Sequence, residues 1–431
     1  MKIAVIGLWH LGLVTAACLA TKTNHEVIAY DPSEEIIAQL KKNHTPLSEP
    51  GLDHLLEHAK TAGKLRYSNQ PADLLDADIV WMTFDTPVDE NDRADVDFVT
   101  RETINIFPYL QNNALLLISS QVPVGTTRQL QTNCPSHQKI TFAYLPENLR
   151  LGKAIEVFTQ PDRFIVGLNN KNDENIKNKI RSLLTSFTEN IIWMSLESAE
   201  MTKHALNAFL ATSVVFINEL ATLCEHVGAD AREVESGLKS EERIGQKAYL
   251  RPGNTIAGGT LARDVNFLVQ IGQQKKINTP LFSTLLTSNQ AHKHWSCRRM
   301  TDVLNDLNHK TIATLGLTYK AGTNTLRRSS AVETCRWLST QGATIVAYDP
   351  AITHLPSDLM QFISLKSTLN EALCNADAIV IATDWPEFTA LSADQLLATV
   401  KQPYVFDAGG FLANTLGNDA RVRYFSVGRP L

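Results

Sequence analysis

Lys203 and Asn207 are the two residues of this sequence whose types and spacing best suit acid–base chemistry. They stand four positions apart in a segment without glycine or proline, 197–227, so both side chains project from one helix face toward a common point. A lysine that is desolvated in a closed cleft can act as an acid or a base near neutral pH. The alternative is a solvated Lys203 that pairs with Glu200 one turn earlier.

A second set of residues has the spacing of a dinucleotide-binding turn. Gly7-Leu8-Trp9-His10-Leu11-Gly12 occupies the position of a GxGxxG motif, and Asp31 ends a strand 19 residues after Gly12. The first glycine makes the tight turn, and the last lets the helix pack on the strand. Asp31 would accept hydrogen bonds from ribose hydroxyls and repel a 2′-phosphate, so the sequence predicts NAD rather than NADP. The alternative for Asp31 is an ordinary turn residue before a proline.

Trp9 replaces the middle glycine of the motif, which normally lets the backbone approach the pyrophosphate. Three roles are open for its side chain. It re-routes the turn, it packs on the cofactor and slows cofactor exchange, or it fills core space.

These residues need a scaffold of short buried strands that alternate with helices. Apolar runs followed by turns predict an α/β fold of two Rossmann-like, doubly wound parallel-sheet domains. The predicted strands of the first half are 2–6, 27–30, 79–83 and 115–119, and those of the second half are 311–315, 344–348, 378–382 and 404–406. Tyr-Asp-Pro ends the second strand of each half, at 30–32 and 348–350, which indicates that the halves are related.

The segment 197–227 predicts one long helix that joins the two halves. Its interior is rich in alanine, leucine and phenylalanine, so we expect it to bury a face against a neighbouring subunit in a homodimer. The predicted domains are an NAD-binding domain at 1–196, a helical central and dimerisation domain at 197–300, and a second Rossmann-like domain at 301–431.

Composition narrows the class of protein. The length of 431 residues predicts two or three domains. The net charge of −5 provides no overall positive potential that would attract nucleic acid. Its six cysteines form no CxxC pair, a pattern typical of reduced thiols. The N-terminal apolar run is too short for a signal peptide, and no run approaches the length of a membrane helix. We therefore expect a cytoplasmic enzyme without a membrane partner.

Motifs along most of the chain resemble the UDP-glucose/GDP-mannose dehydrogenase family. The segment 252–264 aligns without gaps with the family's catalytic loop, roughly PGxGxGGSCFPKD, and 200–211 closely matches its ExxKxxxNAFLA helix. Four other segments, at 43–52, 120–127, 146–152 and 315–329, resemble NxGxxPxxEPGL, STVPVGTT, PEFLREG and LGLAFKxxTDDxRES. In this family NAD oxidises a nucleotide-linked sugar alcohol to an acid in two steps, for polysaccharide biosynthesis. The resemblance implies that the domain at 301–431 is the nucleotide-sugar-binding domain.

The resemblance implies a role for each matching residue. Lys203 and Asn207 would hold the alkoxide and the sugar, and Asp264 would orient Lys203 or relay its proton, unless it is merely a helix N-cap. The other implied catalytic residues are Glu147 and, at the nucleophile's position, Thr260. The implied additional cofactor-binding residues are Thr86, Pro87 and Gln121. The implied substrate-binding residues, for a UDP-, GDP- or other nucleotide-linked hexose, are Asn148, Leu149, Arg150, Arg243, Gly258, Lys320 and Arg327.

Most departures from the family pattern fall at residues that serve the second oxidation step of the family's reaction. Thr260 stands where the family has its cysteine nucleophile, and a hydroxyl is far less nucleophilic than a thiolate. Gln121 and Leu151 replace groups that serve the covalent and hydrolytic steps. Gly409 removes an arginine that would bind substrate. The Lys203 and Asn207 pair remains, and a single hydride transfer needs no cysteine.

Three functions are open for this chain. The first is an NAD-dependent oxidoreductase that does not complete the two-step oxidation. The second is a redox-neutral epimerase or dehydratase with tightly bound NAD⁺ and a transient carbonyl. The third is a sugar-nucleotide sensor without activity, which the retained acid/base helix disfavours. A metal site at His292, His294 and Cys297 lacks a fourth ligand, and we predict no metal.

Overall fold

The computed structural model describes residues 1–89, 94–256, 260–327 and 329–430. These residues form two compact units, Met1–Leu206 and Asn207–Leu431, and each unit contains one sheet. The unit boundary lies within the predicted long helix, whereas the three predicted domains break at 196 and 300. Those domain boundaries remain a prediction.

The first unit is built on an eight-stranded sheet with the order β3-β2-β1-β4-β5-β6-β7-β8. Its strands are β1 (Lys2–Ile6), β2 (Glu26–Tyr30), β3 (Leu65–Ser68), β4 (Ile79–Met82), β5 (Leu115–Ile118), β6 (Thr141–Tyr144), β7 (Phe164–Leu168) and β8 (Ile191–Ser195). Its helices are α1 (His10–Lys22), α2 (Glu34–Lys41), α3 (Leu52–Thr61), α4 (Val96–Ile106), α5 (Thr126–Asn133), α6 (Ala154–Thr159) and α7 (Glu174–Leu184). All neighbouring strands are parallel except β6 and β7.

Both faces of this sheet are covered, which explains why its central strands are apolar throughout. In β1, Ile3 and Val5 belong to the core on one face, and Ala4 and Ile6 belong to the core on the other. All four side chains are fully buried. A parallel sheet with helices on both faces requires such continuous apolar strands rather than alternating ones.

The second unit carries a six-stranded parallel sheet with the order β11-β10-β9-β12-β13-β14. Its strands are β9 (Thr311–Leu315), β10 (Thr344–Tyr348), β11 (Ile363–Leu365), β12 (Ala378–Ile381), β13 (Tyr404–Asp407) and β14 (Arg423–Phe425). The helices from the long connector onward are α8 (Leu196–Val227), α9 (Ala231–Ser240), α10 (Leu261–Lys275), α11 (Pro280–Lys293), α12 (Trp295–Leu304), α13 (Ser330–Thr340), α14 (Leu369–Leu373) and α15 (Ala393–Thr399).

The α8 helix is a single 32-residue helix, as the sequence predicts. Four large apolar side chains on it, Phe209, Phe216, Leu223 and Val227, are 50% to 74% exposed. By length and hydropathy alone α8 could cross a membrane, which corrects the expectation that no segment approaches that length. The helix also carries charged side chains that are buried in the protein, at Glu200, Lys203 and Glu225, as expected of a core helix and not of a lipid-facing one.

The eight predicted strands are all present, with bounds that differ by at most one residue at either end. The α/β architecture with two Rossmann-like sheets is confirmed. The sequence analysis did not identify six further strands, β3, β6, β7, β8, β11 and β14. Five of these strands have at most four residues or are half-exposed, whereas β7 is a fully buried five-residue strand that the analysis missed. The antiparallel β6–β7 pair is the one departure from a parallel sheet among the described strands.

Candidate active site

The dinucleotide-type turn begins at Gly7, which has a φ of +92° and donates its N–H to the Tyr30 carbonyl at 3.0 Å. A Cβ at this position would lie 2.6 Å from the Phe84 ring. At Gly12 a Cβ would lie 1.9 Å from the Gly7 carbonyl oxygen and 2.7 Å from Thr83 Oγ1. Both glycines are therefore required for α1 to start close against the end of β1.

Trp9 occupies the N-cap position of α1 with φ −89° and ψ −153°, a conformation open to any L-residue. Its side chain makes no cap hydrogen bond to the helix and is 44% exposed. The proposed core-filling role of Trp9 is therefore wrong. The amides at the start of α1 receive no cap from this side chain, which leaves this helix start suited to an anion such as pyrophosphate.

Asp31 is buried at the end of β2 and organises the turn above it. Its Oδ2 accepts the N–H of Leu8 at 2.8 Å, and its Oδ1 accepts the N–H of Ser33 at 2.9 Å. Burial raises the pKa of Asp31, against the opposing effect of these two hydrogen bonds. Each carboxylate oxygen has a further lone pair for a ribose hydroxyl, so the turn and Asp31 together fit an NAD molecule.

His10 links the turn to two other segments of the first unit. Its Nε2 lies 2.9 Å from Glu49 Oε2, and Glu49 also accepts the N–H groups of Gly152 and Ala154 at 2.8 and 2.9 Å. Burial by itself raises the pKa of Glu49, but the hydrogen bonds from Gly152, His10 and Ala154 together bring it below its ordinary value. The sequence analysis did not identify Glu49, although its motif at 43–52 was visible.

Thr86, Pro87 and Gln121 lie in loops that follow β4 and β5. Thr86 Oγ1 donates to the Gln121 carbonyl at 2.6 Å, which joins the two loops, and both residues are buried. His204 on α8 donates from Nε2 to the Val122 carbonyl at 2.9 Å. The loop that carries Gln121 is therefore held by side chains on both sides.

Glu200 holds the end of the same loop. Its carboxylate accepts the N–H of Gly125 at 2.5 Å and that of Thr127 at 2.9 Å, which caps the start of α5. Burial raises the pKa of Glu200. Sequence reasoning missed the roles of Glu200 and His204, which lie four positions apart in the helix motif.

Lys203 is 6% exposed, and its Nζ donates to the Glu147 carbonyl at 2.5 Å and to Asn148 Oδ1 at 3.3 Å. The alternative of a solvated lysine paired with Glu200 is therefore wrong. The side chain of Glu147 accepts the N–H of Leu149 at 2.6 Å, which shapes the loop after β6. The predicted residues Glu147 and Asn148 are thus brought to Lys203 within the first unit.

Asn207 lies one turn further along α8 and belongs to the second unit. Its Nδ2 donates to Asp264 Oδ2, and both side chains are buried. Asp264 lies in the first turn of α10, so the N-cap alternative is wrong. The cap position itself belongs to Thr260, whose side chain is exposed and makes no cap hydrogen bond.

The remaining predicted substrate residues are exposed cations or loop residues. Arg150 is exposed after β6, and Lys320 and Arg327 are exposed in the loop between β9 and α13. Arg243 is exposed and pairs with Glu241 at 2.8 Å, which raises the pKa of the guanidinium. Gly258 lies outside the described residues.

A cavity of about 610 Å³ in the second unit includes the backbone that leads to Thr260. Its wall contains Arg251, Asn254, Asp384 and Gly409, among other residues. Burial raises the pKa of Asp384, the charge of Asp407 adds to this effect, and Arg251 opposes it. The sequence analysis missed Arg251 and Asp384. Asp384 follows the carboxyl end of β12, where ligands of such sheets bind.

Among His292, His294 and Cys297, the structure shows a backbone partner for the first histidine. His292 Nε2 donates to the Gly253 carbonyl at 2.8 Å, and burial raises the pKa of the Cys297 thiol to about 12. Among the described residues there is no group of three metal-ligating side chains.

Three family models match successive parts of the chain. They describe the UDP-glucose/GDP-mannose dehydrogenase family: its NAD binding domain at residues 1–187, its central domain at 197–291 and its UDP binding domain at 313–414.

Two relatives are similar over the whole chain. UDP-glucose 6-dehydrogenase of Rhizobium meliloti (strain 1021) is 33% identical over 439 residues, which covers 100% of both chains. UDP-glucose 6-dehydrogenase TuaD of Bacillus subtilis (strain 168) is 32% identical over 435 residues, which covers 100% of this chain and 93% of TuaD. A solved UDP-glucose dehydrogenase from the archaeon Pyrobaculum islandicum has the same fold, with a TM-score of 0.84, 24% identity and coverage of 99% of this chain and 97% of that chain.

Proposed function

This chain belongs to the UDP-glucose/GDP-mannose dehydrogenase family, and we propose that it oxidises one hydroxyl of a UDP-linked hexose and stops at the carbonyl. When bound by the turn at 7–12 and by Asp31, NAD, the cofactor of this family, would supply the hydride acceptor for the carbon that carries that hydroxyl. The match of 313–414 to a UDP binding domain supports the choice of nucleotide.

In this proposal Lys203 removes the hydroxyl proton. Its amine is held by the Glu147 carbonyl and by Asn148 Oδ1, so in the neutral form its lone pair is available for a proton from a bound sugar. The 6% exposure of Lys203 excludes most of the water that would compete for that proton. Glu147 positions the loop that carries these acceptors.

Asn207 stabilises the developing alkoxide. Asp264 accepts one hydrogen of the Asn207 amide, so the second hydrogen can be donated to an alkoxide oxygen. Because Asp264 is buried in α10, it fixes which face the amide presents. A single oxidation is balanced by these groups alone: the proton goes to Lys203 and the hydride to NAD.

The observation that carries the proposal is Thr260. It stands at the nucleophile's position with an exposed side chain, while the buried Lys203, Asn207 and Asp264 are retained. A second oxidation through a covalent intermediate needs a strong nucleophile at this position. A threonine hydroxyl is a poor one, so we expect an aldehyde or ketone as the product.

A second candidate is a redox-neutral epimerase or dehydratase that keeps its NAD⁺ and returns the hydride. The exposed aromatic ring of Trp9 at the cofactor motif favours it, because a ring at this position can cover a bound dinucleotide and slow its release. Net NADH formation separates the two candidates.

We also propose a homodimer in the cytoplasm, formed through the exposed apolar residues of α8. Phe209, Phe216 and Leu223 recur every seven residues, which places them on one stripe of the helix. Phe216→Asp should shift the sedimentation coefficient toward that of a monomer. An unchanged dimer in this variant, or a monomeric wild type, would contradict the proposed interface.

The test of the function compares wild type with Thr260→Cys and, as a matched control, Thr260→Ser. Purified protein is denatured to identify any bound dinucleotide, and turnover is then followed at the NADH absorbance with UDP-, GDP-, CDP- and dTDP-sugars. We expect wild type and Thr260→Ser to form one NADH per sugar and a carbonyl that hydroxylamine traps. Thr260→Cys should form acid and up to two NADH per sugar.

Other outcomes assign other functions. Stoichiometric bound NAD⁺ with a converted sugar and no NADH establishes the redox-neutral candidate. Acid formation by the wild type shows that the proposed role of Thr260 is wrong. Absence of any conversion across the panel supports the sensor.

A further inference from the structure

Three side chains hold the backbone of Gly253–Ile256, the segment that leads toward Thr260. Asn218 on α8 accepts the Gly253 N–H at 2.9 Å and donates to the Asn254 carbonyl at 3.2 Å. Asn289 on α11 accepts the Ile256 N–H at 2.9 Å and donates to the Ile256 carbonyl at 3.2 Å. The third is His292, through the Gly253 carbonyl.

The two asparagines use the property that distinguishes a carboxamide from other side chains. A carboxamide presents one acceptor and one donor side by side, so it can pair with a backbone N–H and a backbone carbonyl at once. Asn218 does so with the Gly253 N–H and the Asn254 carbonyl, and Asn289 does so with both polar groups of Ile256. Burial lowers the pKa of His292, which favours the neutral imidazole as the donor to Gly253.

The held segment is also closely packed on its other side. Gly253 has a φ of +148°, and a Cβ there would lie 3.2 Å from the Gly409 Cα. Gly253, Asn254, Thr255 and Ile256 all contribute to the wall of the 610 Å³ cavity. A shift of this backbone therefore changes the shape of the cavity.

We propose that Asn218 and Asn289 are positioning residues, which set the cavity wall and the approach of the chain to Thr260 before substrate binds. The inference rests on the proposed function, because the inference assigns this cavity to the nucleotide sugar on which the proposed function acts. Both asparagines bind backbone groups of Gly253–Ile256. Their effect is to fix the backbone geometry, and a misplaced active-site segment commonly costs about 10- to 100-fold in rate.

The test is Asn289→Asp, studied as a function of pH on the full-length protein. A protonated carboxyl group reproduces the amide, since it accepts the Ile256 N–H and donates to the Ile256 carbonyl. An ionised carboxylate still accepts the N–H but faces the carbonyl without a hydrogen to donate, which also raises its own pKa. Gln290→Glu is the matched control, because Gln290 is exposed on the same helix and undergoes the same amide-to-acid change.

The readout is the ratio of kcat/KM between variant and wild type, since this ratio cancels the pH profile that both share. We expect Asn289→Asp to be about 10- to 100-fold below wild type at pH 8 and within about threefold near pH 5. Gln290→Glu should match wild type at both pH values. Binding of NAD to Asn289→Asp, measured by calorimetry, should be unchanged, because Asn289 lies outside the unit that carries the dinucleotide turn.

A ratio that is the same at pH 5 and pH 8 overturns the inference, as does the same loss in Gln290→Glu. Asn218→Asp repeats the test at the second asparagine if Asn289→Asp does not fold. Amide exchange at Gly253 and Ile256 gives a readout without turnover, and it should accelerate in Asn218→Leu and Asn289→Leu respectively. If the wild type converts no sugar, the proposed function fails. Amide exchange that does not accelerate in the leucine variants would separately contradict the positioning role of Asn218 and Asn289.

Discussion

The two Rossmann-like sheets begin in the same way and then diverge. The first strand of each is followed directly by a glycine of positive φ, Gly7 at +92° and Gly316 at +87°. Each glycine donates its N–H to the tyrosine that ends the second strand, Tyr30 at 3.0 Å and Tyr348 at 2.8 Å. In both sheets the next residue is an aspartate whose Oδ2 accepts N–H groups from the turn above it.

The divergence lies in the segment between this glycine and the next helix. In the first sheet α1 starts at His10, three residues after Gly7, so its amides face the turn directly. In the second sheet α13 starts at Ser330, fourteen residues after Gly316. The intervening segment carries Lys320 and Arg327 on its exposed side.

The two aspartates reflect the same divergence. Asp31 Oδ2 accepts one hydrogen bond, from Leu8. Asp349 Oδ2 accepts four, from the Leu317 N–H, the Thr318 N–H, Thr318 Oγ1 and Trp385 Nε1, at 2.6 to 3.1 Å. The first carboxylate retains capacity for a ligand, whereas the second is saturated by its own domain. One scaffold therefore serves a dinucleotide in the first unit and supports a cationic loop in the second.

Replacement by alanine should mainly reduce stability at Asp349, and should reduce both stability and NAD binding at Asp31. Asp349→Ala leaves several buried donors without an acceptor and should lower the free energy of unfolding by about 4 kcal/mol. Asp31→Ala should lower it by about 2 kcal/mol and weaken NAD binding at least tenfold. Denaturant unfolding and calorimetry of NAD binding measure the two effects, and equal stability losses would contradict the contrast between the two carboxylates.

Gly12→Ala should weaken NAD binding by about 100-fold, close to 3 kcal/mol. Its Cβ would lie 1.9 Å from the Gly7 carbonyl oxygen, so α1 must move away from the turn. Gly237→Ala in α9 is the matched control, because it is also helical and its Cβ would meet no atom within 4 Å. The control should bind NAD normally and gain up to about 1 kcal/mol of stability. Normal NAD affinity in Gly12→Ala would refute the assigned turn.

Glu49→Gln should be less stable than wild type by about 2 kcal/mol at pH 7, with a difference that shrinks in acid. The folded-state pKa of Glu49 lies below its ordinary value, so its stabilisation is present above the unfolded pKa of about 4.3 and is lost as the pH falls through the folded pKa. Urea unfolding at pH 7 and pH 4 checks this. A difference that grows at pH 4 would reverse the sign of the argument.

Lys320→Ala and Arg327→Ala should each weaken nucleotide-sugar binding by about tenfold, through the loss of a charge-assisted contact with the diphosphate. NAD affinity and stability should stay at wild-type values, because both side chains are exposed. Lys275→Ala is the control, since it removes an exposed cation to which no ligand-binding role is assigned. A loss of NAD affinity in the lysine or arginine variant would contradict the assignment of NAD binding to the first unit and of nucleotide-sugar binding to this loop of the second.

Much of the architecture follows from local sequence. The strand at 2–6 is predictable because it is a short apolar run with a glycine directly after it, and the same holds for 311–315. The long helix is predictable because 197–227 contains no glycine or proline. The contribution of α8 to the site was only partly predictable, since its spacing placed Lys203 and Asn207 on one face but named no partner for either.

The hydrogen-bond partners of the site residues could be identified only from the tertiary structure. Glu49 accepts hydrogen bonds from the backbone N–H groups of Gly152 and Ala154, more than one hundred positions away in the sequence. The residue types of Gly152 and Ala154 give no sign of these contacts. The alternative of a solvated Lys203 paired with Glu200 was wrong for the same reason. Glu200 instead accepts backbone N–H groups at the start of α5, which the sequence did not reveal. A hydrogen bond to a backbone amide leaves no trace in the partner's residue type.

Residue types and spacing by themselves determined the two α/β halves, the NAD-type turn and the acid/base pair on a helix, and the resemblance of 252–264 to the family's catalytic loop added the threonine at the nucleophile's position. These features depend on periodicity, on glycine conformations and on the chemistry of single side chains, all of which are local. The tertiary structure alone decided that Asp349 is saturated while Asp31 is not, that Trp9 is exposed, and that Asn218 and Asn289 hold the segment before Thr260. Those outcomes depend on which distant backbone groups are buried together, and only the packing of the folded chain sets that.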